Sequence, residues 1–179
     1  IILINCHLPG FVELDVSGHS NICGTNASGK TTLQRLIPVF YGELPSKVVP
    51  KTRKKFDDFY LPHANSYLIY EYQREDGQNC QVVLTRKGSD GVQYRFVEAP
   101  YHQQQILVDT EQGNVQAMLP EQWIKQLRQL DIDFSHKIQA TSEFRSVIQN
   151  DVSVGRSAGR ESTKLRQLAS RYSLVSNKH

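Results

Sequence analysis

The sequence has little of what marks secreted, zinc-binding or membrane proteins. It contains three cysteines, Cys6, Cys23 and Cys80, and no two of them have C-x-x-C spacing. Neither a disulfide framework nor a zinc site is therefore expected, and so few cysteines predict a reduced, cytoplasmic protein. No apolar run approaches the length of a membrane span, which predicts that the chain has no membrane partner.

Charge is also nearly balanced, because the 179 residues carry a net charge of only +3. Residues 152–179 are the exception, with six lysines and arginines against one glutamate. Such a basic segment is compatible with nucleic-acid binding, and equally with an exposed helix whose charges keep it soluble. With 39% apolar residues the chain can bury one sizeable core. It begins inside a predicted strand, so we expect residues before Ile1.

A glycine-rich stretch stands out against this background. Residues 24–31 fit the pattern G-x-x-x-x-G-K-[ST], with Gly24, Gly29, Lys30 and Thr31 at its fixed positions. The backbone N–H groups of such a loop curl around phosphate oxygens, and the helix beginning near Gly29 adds its positive end. We expect Lys30 to reach the β- and γ-phosphates and the Thr31 hydroxyl to bind Mg²⁺. The predicted nucleotide-binding residues are Gly24, Asn26, Ala27, Ser28, Gly29, Lys30, Thr31 and Thr32.

The residues around the stretch favour a phosphate site over a chance glycine-rich turn. Upstream, residues 11–16 and 20–23 predict two strands with a turn at Gly18, and the second strand leads into the loop. Downstream, an apolar face repeats with helical spacing at Leu33, Leu36, Ile37 and Phe40. Strand, loop and helix is the order that the pattern requires. Pro38 is expected to break or kink this helix after two turns.

Three further strands are predicted at residues 66–72, 81–86 and 92–97, because each run is rich in strand-forming residues and turn residues separate the runs. Short connections make them an antiparallel meander. The tyrosines on these strands favour cross-strand packing over a platform that stacks bases; they are Tyr67, Tyr70, Tyr72 and Tyr94. Beyond the meander, an amphipathic helix is predicted to open at Pro120.

Two parts of the sequence together resemble a known family. The pattern I-x-L-x-N-x-H over residues 1–7, and the glycine-rich loop with its Asn26, resemble the N-terminal head segment of structural-maintenance-of-chromosomes (SMC) and RecF-like ATPases. The resemblance covers about residues 1–40, and Ala27 replaces the glycine that is usual in that family's loop. It implies an α/β fold, a P-loop NTPase of ABC/SMC-head type with a mixed sheet that includes an antiparallel meander.

The resemblance also implies an organisation and a set of partners. Residues 1–150 would form the N-terminal ATPase head lobe, an incomplete half-head, and residues 151–179 a basic linker and a helix leading towards a coiled coil. ATP and Mg²⁺ would be the cofactors. The partners would be the C-terminal head lobe of the same protein, a second head in a homodimer, and DNA. Such ATPases act in chromosome organisation, DNA repair or defence against plasmids and phages, in the cytoplasm and, in bacteria, on the nucleoid.

Two sets of residues outside the loop are further candidates. In ABC-type heads a glutamine contacts Mg²⁺ and the attacking water, and Gln149 is the candidate here, with Gln139 as a second. DNA could follow a basic cluster that precedes the aromatic residues Phe56, Phe59 and Tyr60. The alternative is a solvated loop whose aromatic residues lie in the core. The basic cluster consists of Lys47, Lys51, Arg53, Lys54 and Lys55.

Other classes of nucleotide-binding protein stay open. The apolar run that ends in Asp109 resembles a Walker B strand, although the turn after it favours the edge of a hairpin. A self-contained GTPase would use Asp109 as its Mg²⁺ carboxylate and needs an N-K-x-D motif, of which only Asn177 and Lys178 are present. A small-molecule kinase, and a module that senses nucleotide without hydrolysing it, are the remaining alternatives.

Two motifs of ABC-type hydrolysis are absent from the sequence: an S-G-G signature and an extended apolar strand ending in Asp-Glu. Hydrolysis needs both, because the carboxylates hold Mg²⁺ and activate water while the signature closes over the γ-phosphate from a second head. In the split-head proteins that this sequence resembles, both motifs lie beyond the coiled coil. We therefore expect this chain alone to be inactive as an ATPase.

Overall fold

The computed structural model describes residues 1–6, 10–14, 16, 27–49, 55–88, 90–152 and 160–175. Its main sheet has five strands in the order β2-β1-β3-β4-β5, and all four pairings between neighbours are antiparallel. The strands are β1 (Ile2–Ile4), β2 (Phe11–Glu13), β3 (Tyr67–Gln73), β4 (Asn79–Arg86) and β5 (Val92–Val97). The predicted meander is thereby confirmed, whereas the described strands contain no parallel pairing of the mixed sheet that was expected. The predicted strand over residues 20–23 lies outside the described residues.

Six α-helices and a small hairpin complete the described part of the chain. The hairpin pairs β6 (Leu107–Asp109) with β7 (Val115–Ala117), and a short 3₁₀ helix, Gln103–Gln105, precedes it. The helix predicted to open at Pro120 is confirmed. The helices are α1 (Ala27–Phe40), α2 (Pro45–Val48), α3 (Phe56–Tyr60), α4 (Pro120–Gln129), α5 (Thr141–Ile148) and α6 (Arg160–Tyr172).

The sheet separates two hydrophobic cores, because successive side chains of a strand point to opposite faces. One core joins the sheet to α1, α3, α5 and α6 through buried residues that include Leu36, Tyr60, Phe144 and Tyr172. The other joins it to α4 and the hairpin through Trp123, Leu127, Ile106 and Ala117. The strand tyrosines, Tyr67, Tyr70, Tyr72 and Tyr94, are all buried in these cores. Their predicted role in packing is confirmed.

Helix α1 continues through Pro38 and ends two residues later at Phe40. The expected break after two turns is therefore wrong, since the helix is continuous at Pro38. Proline leaves the carbonyl one turn earlier, at Gln34, without its usual N–H donor, but Gln34 is exposed, so water can take that place. The helix stops soon afterwards, where the Pro38 carbonyl accepts bonds from the N–H groups of Tyr41, at 3.1 Å, and Glu43, at 3.0 Å.

Helix α6 belongs to the same core as the rest of the domain. Tyr172 is 1% exposed, and its ring stacks on that of Phe96 with 5.0 Å between centroids. Two hydrogen bonds fix the C-terminal end of the helix. The Tyr72 hydroxyl, on β3, donates to the Tyr172 carbonyl at 2.5 Å, and Arg74 Nε, just after β3, donates to the Ser173 carbonyl at 2.8 Å. Helix α6, which lies in the predicted linker and helix segment of residues 151–179, therefore packs against one face of the sheet.

Loss of the hydroxyl is expected to lower the stability of the domain at Tyr72 but not at Tyr172. Tyr72→Phe removes a buried hydrogen bond and should lower the free energy of unfolding by about 1 kcal/mol. The Tyr172 hydroxyl has no partner among the described residues, so Tyr172→Phe should leave stability unchanged or raise it. Urea denaturation of both variants measures the difference. Equal losses would contradict the prediction and show that the Tyr172 hydroxyl is bonded in solution.

Candidate functional site

The candidate site is the N-terminal end of α1, where the glycine-rich stretch runs into the helix. The helix begins at Ala27, so Gly29, Lys30 and Thr31 lie in its opening residues, and its first turn holds no acidic residue. The first backbone N–H groups of a helix have no intrahelical acceptor and carry its positive end. Such an end suits an anion. Gly24 and Asn26 lie outside the described residues, as do the side chains of residues 27–30 and 32.

The opposite end of α1 is fixed by side chains from two elements. The Tyr70 hydroxyl on β3 donates to the Leu36 carbonyl at 2.6 Å. From α5, Arg145 Nε donates to the Gly42 carbonyl at 2.9 Å. Gly42 has φ +96°, and a Cβ there would come within 2.6 Å of Arg145 Cγ, so only glycine allows this approach. The helix that carries the candidate site is thus anchored to the sheet and to α5.

Gln149 belongs to this far end of α1. Its Nε2 donates to the Tyr41 carbonyl at 2.6 Å. Thr31 lies ten residues before Tyr41, which is about 15 Å along a helix that rises about 1.5 Å per residue. That separation argues against the prediction that Gln149 touches a Mg²⁺ ion bound at Thr31. The second candidate, Gln139, is exposed and follows Ile138, which pairs with Tyr94 at the edge of β5.

Asp109 lies on the other side of the sheet from α1. It ends β6, opposite Val115 of β7, and it is exposed. The interpretation of this run as a hairpin edge is confirmed. The hairpin packs into the core of Trp123, whereas α1 packs into the core of Phe144. Because the sheet lies between them, the geometry argues against Asp109 as a carboxylate for Mg²⁺ at Thr31, and with it against the GTPase alternative.

The described part of the predicted basic cluster is paired with acidic residues. Lys47 Nζ lies 3.7 Å from Glu43, and Lys55 Nζ lies 3.1 Å from Asp90. The hydrogen bond to Asp90 raises the pKa of Lys55. Lys51, Arg53 and Lys54 lie outside the described residues. The aromatic residues that follow pack into the core, with Phe56 and Tyr60 buried and Phe59 half-buried, as the alternative interpretation predicts.

Two arginines that belong to no sequence motif lie against the aromatic ring of Phe134. The guanidinium carbons of Arg95, on β5, and Arg128, on α4, lie 5.5 Å and 5.6 Å from the centre of the Phe134 ring. Burial and the nearby charge of Arg128 lower the pKa of Arg95. No local pattern reveals this site, because its residues come from three separate segments of the chain.

The described residues contain no group of three histidine, cysteine, aspartate or glutamate side chains placed to hold a metal ion. No described helix combines the length and the hydropathy that crossing a bilayer needs.

The fold and these contacts define an α/β domain in which a five-stranded antiparallel sheet carries helices on one face and a helix with a hairpin on the other. The chain belongs to the family described as protein of unknown function DUF3584, whose profile matches residues 2–179. The match includes α6. No curated protein matches the sequence.

Proposed function

We propose that this chain is the ATP-binding N-terminal lobe of an SMC/RecF-like ATPase. The observation that carries the proposal is the match to G-x-x-x-x-G-K-[ST] at residues 24–31, together with a 14-residue helix that begins inside it. A helix N-terminus without acidic side chains in its first turn favours a bound anion. A P-loop places the triphosphate of a nucleotide at such an end.

Each residue of the loop has a defined task in this proposal. The backbone N–H groups from Gly24 to Gly29 bind the phosphates, and Lys30 places its charge on the β- and γ-phosphate oxygens. Thr31 supplies a hydroxyl to Mg²⁺, which neutralises phosphate charge when it is bound. In this proposal the carboxylates that activate water belong to another lobe.

The same proposal sets the partners. The C-terminal lobe of the same protein completes the head, and a second head closes over the nucleotide in a homodimer. ATP binding joins the heads and hydrolysis separates them, while DNA is the substrate on which the assembly acts. Chromosome organisation, DNA repair and defence against plasmids or phages are the processes that fit this activity.

Calorimetric titration of the chain with ATP and Mg²⁺, followed by single-turnover hydrolysis with excess protein, tests the proposal. We expect binding without cleavage, because the carboxylates and the signature motif are supplied by the missing lobe. Absence of binding would overturn the nucleotide site. Cleavage would show a complete catalytic set within 179 residues and would overturn the half-head. Tighter binding of GTP than of ATP in the same titration would favour the GTPase alternative.

A further inference from the structure

The contact of Arg95 and Arg128 with Phe134 lies on the face of the sheet away from α1. Tyr94 and Phe96 belong to the core that contains α1, so alternation along β5 directs Arg95 to the opposite face. Phe134 packs into that opposite core, together with Leu127 of α4. Arg95 is held in place because its Nη1 donates to the Ser135 carbonyl at 2.7 Å.

The positive charge at this contact has no ion-pair partner among the residues that the structure describes. Neither Arg95 nor Arg128 forms an ion pair with any described residue, whereas three other arginines of the described chain do: Arg74, Arg86 and Arg171. Arg95 is also half-buried, which makes an unpaired charge costly. Two like charges on one ring, one of them partly desolvated, would be stabilised by an anion that both guanidinium groups can reach.

Two more cationic side chains lie close in sequence to Arg128 and Phe134. Lys125 lies one turn before Arg128 on α4 and is exposed, and Lys137, which is also exposed, follows two residues after Ser135. The segment after α4 also holds two acidic residues. Asp133 forms an ion pair with Arg171, and Asp131 is exposed. The cations therefore come from α4, from β5 and from the segment after α4.

We propose that Arg95 and Arg128 bind the phosphodiester backbone of a nucleic acid. Cations contributed by several elements suit a polymer with regularly repeated negative charges, and a guanidinium group matches a phosphate with two parallel hydrogen bonds. The ring of Phe134 already contacts both guanidinium groups, so it is not free to stack a base. Recognition here is independent of base sequence. The site deepens the DNA-binding part of the proposed function but does not depend on ATP binding, because the sheet separates it from α1.

Fluorescence anisotropy with a labelled duplex DNA of random sequence, measured over a series of salt concentrations, tests this site in the whole chain. We expect Arg128→Gln and Arg95→Gln each to weaken binding about tenfold and to lower the slope of log affinity against log salt by about one. Arg35→Gln is the matched control, because Arg35 lies on α1, on the opposite side of the sheet, and has no ion pair among the described residues. It removes the same charge and should leave both quantities almost unchanged.

Three outcomes would overturn the site: no DNA binding by the unaltered chain at low salt, equal losses for Arg128→Gln and Arg35→Gln, or displacement of the DNA by polyglutamate as efficiently as by unlabelled DNA. The last would indicate an acidic protein as partner. If Arg95→Gln does not fold, Arg128→Gln and the charge reversal Arg128→Glu decide the matter, because Arg128 is exposed. Lys30→Ala should bind DNA normally, so failure of the nucleotide site and failure of this site are distinguishable.

Discussion

Replacing Lys30 with alanine is expected to abolish ATP binding by this chain. Lys30 follows the second glycine of the pattern and lies at the start of α1, where its ammonium group would meet the β- and γ-phosphates. Removing one partner of a desolvated charge pair costs about 2–5 kcal/mol, which corresponds to a loss of affinity of about thirtyfold or more. Titration calorimetry with ATP and Mg²⁺ measures this loss.

Lys164→Ala is the matched control for this variant. Lys164 is exposed on α6, so its removal changes the net charge equally without touching the proposed loop. Thermal unfolding of both variants shows whether the fold is kept. Normal ATP binding by Lys30→Ala would refute the assignment of the phosphate site, whereas equal losses in both variants would show that net charge, not position, governs the affinity.

Replacing Tyr172 with alanine is expected to destabilise the whole domain. The residue is 1% exposed, and its ring stacks on Phe96. Its carbonyl accepts a hydrogen bond from the Tyr72 hydroxyl. Large aromatic-to-alanine changes in a core cost about 3–5 kcal/mol, because they lose buried contact and leave a cavity. A single urea transition with a lower midpoint is expected, since α6 and the sheet share one core.

Arg166→Ala provides the comparison on the same helix. Arg166 is exposed, so its replacement should change the free energy of unfolding by no more than about 0.5 kcal/mol. If Tyr172→Ala were no more destabilising than this control, α6 would be a separable segment, and the predicted boundary at residue 150 would stand. The two variants together therefore decide where the folded unit ends.

Several features could be predicted from the sequence because they depend on neighbouring residues. Spacing and turn chemistry predict the helix after the glycine-rich stretch, the meander, the hairpin whose first strand ends in Asp109 and the helix opened by Pro120. Local patterns were also sufficient to assign the strand tyrosines to packing. Pro38 shows the limit of such rules, since its effect depended on whether the carbonyl one turn earlier was exposed.

Candidate site residues far from the loop could not be placed in this way. Gln149 follows the meander as the resemblance requires, but its side chain contacts the end of α1 away from Lys30. Its position depends on how α5 packs against α1, which involves residues more than a hundred positions apart in the chain. Helical spacing within α5 carries no information about that contact.

From sequence alone follow the glycine-rich pattern, its place before a helix and the meander after it, because each is encoded within a few tens of residues. The tertiary structure alone decided that α6 closes the core, that Asp109 and α1 lie on opposite faces of the sheet, and that Arg95 and Arg128 meet at Phe134. The physical reason is that these relations arise from burial between distant segments. Burial selects a packing of the whole chain, which no single segment specifies.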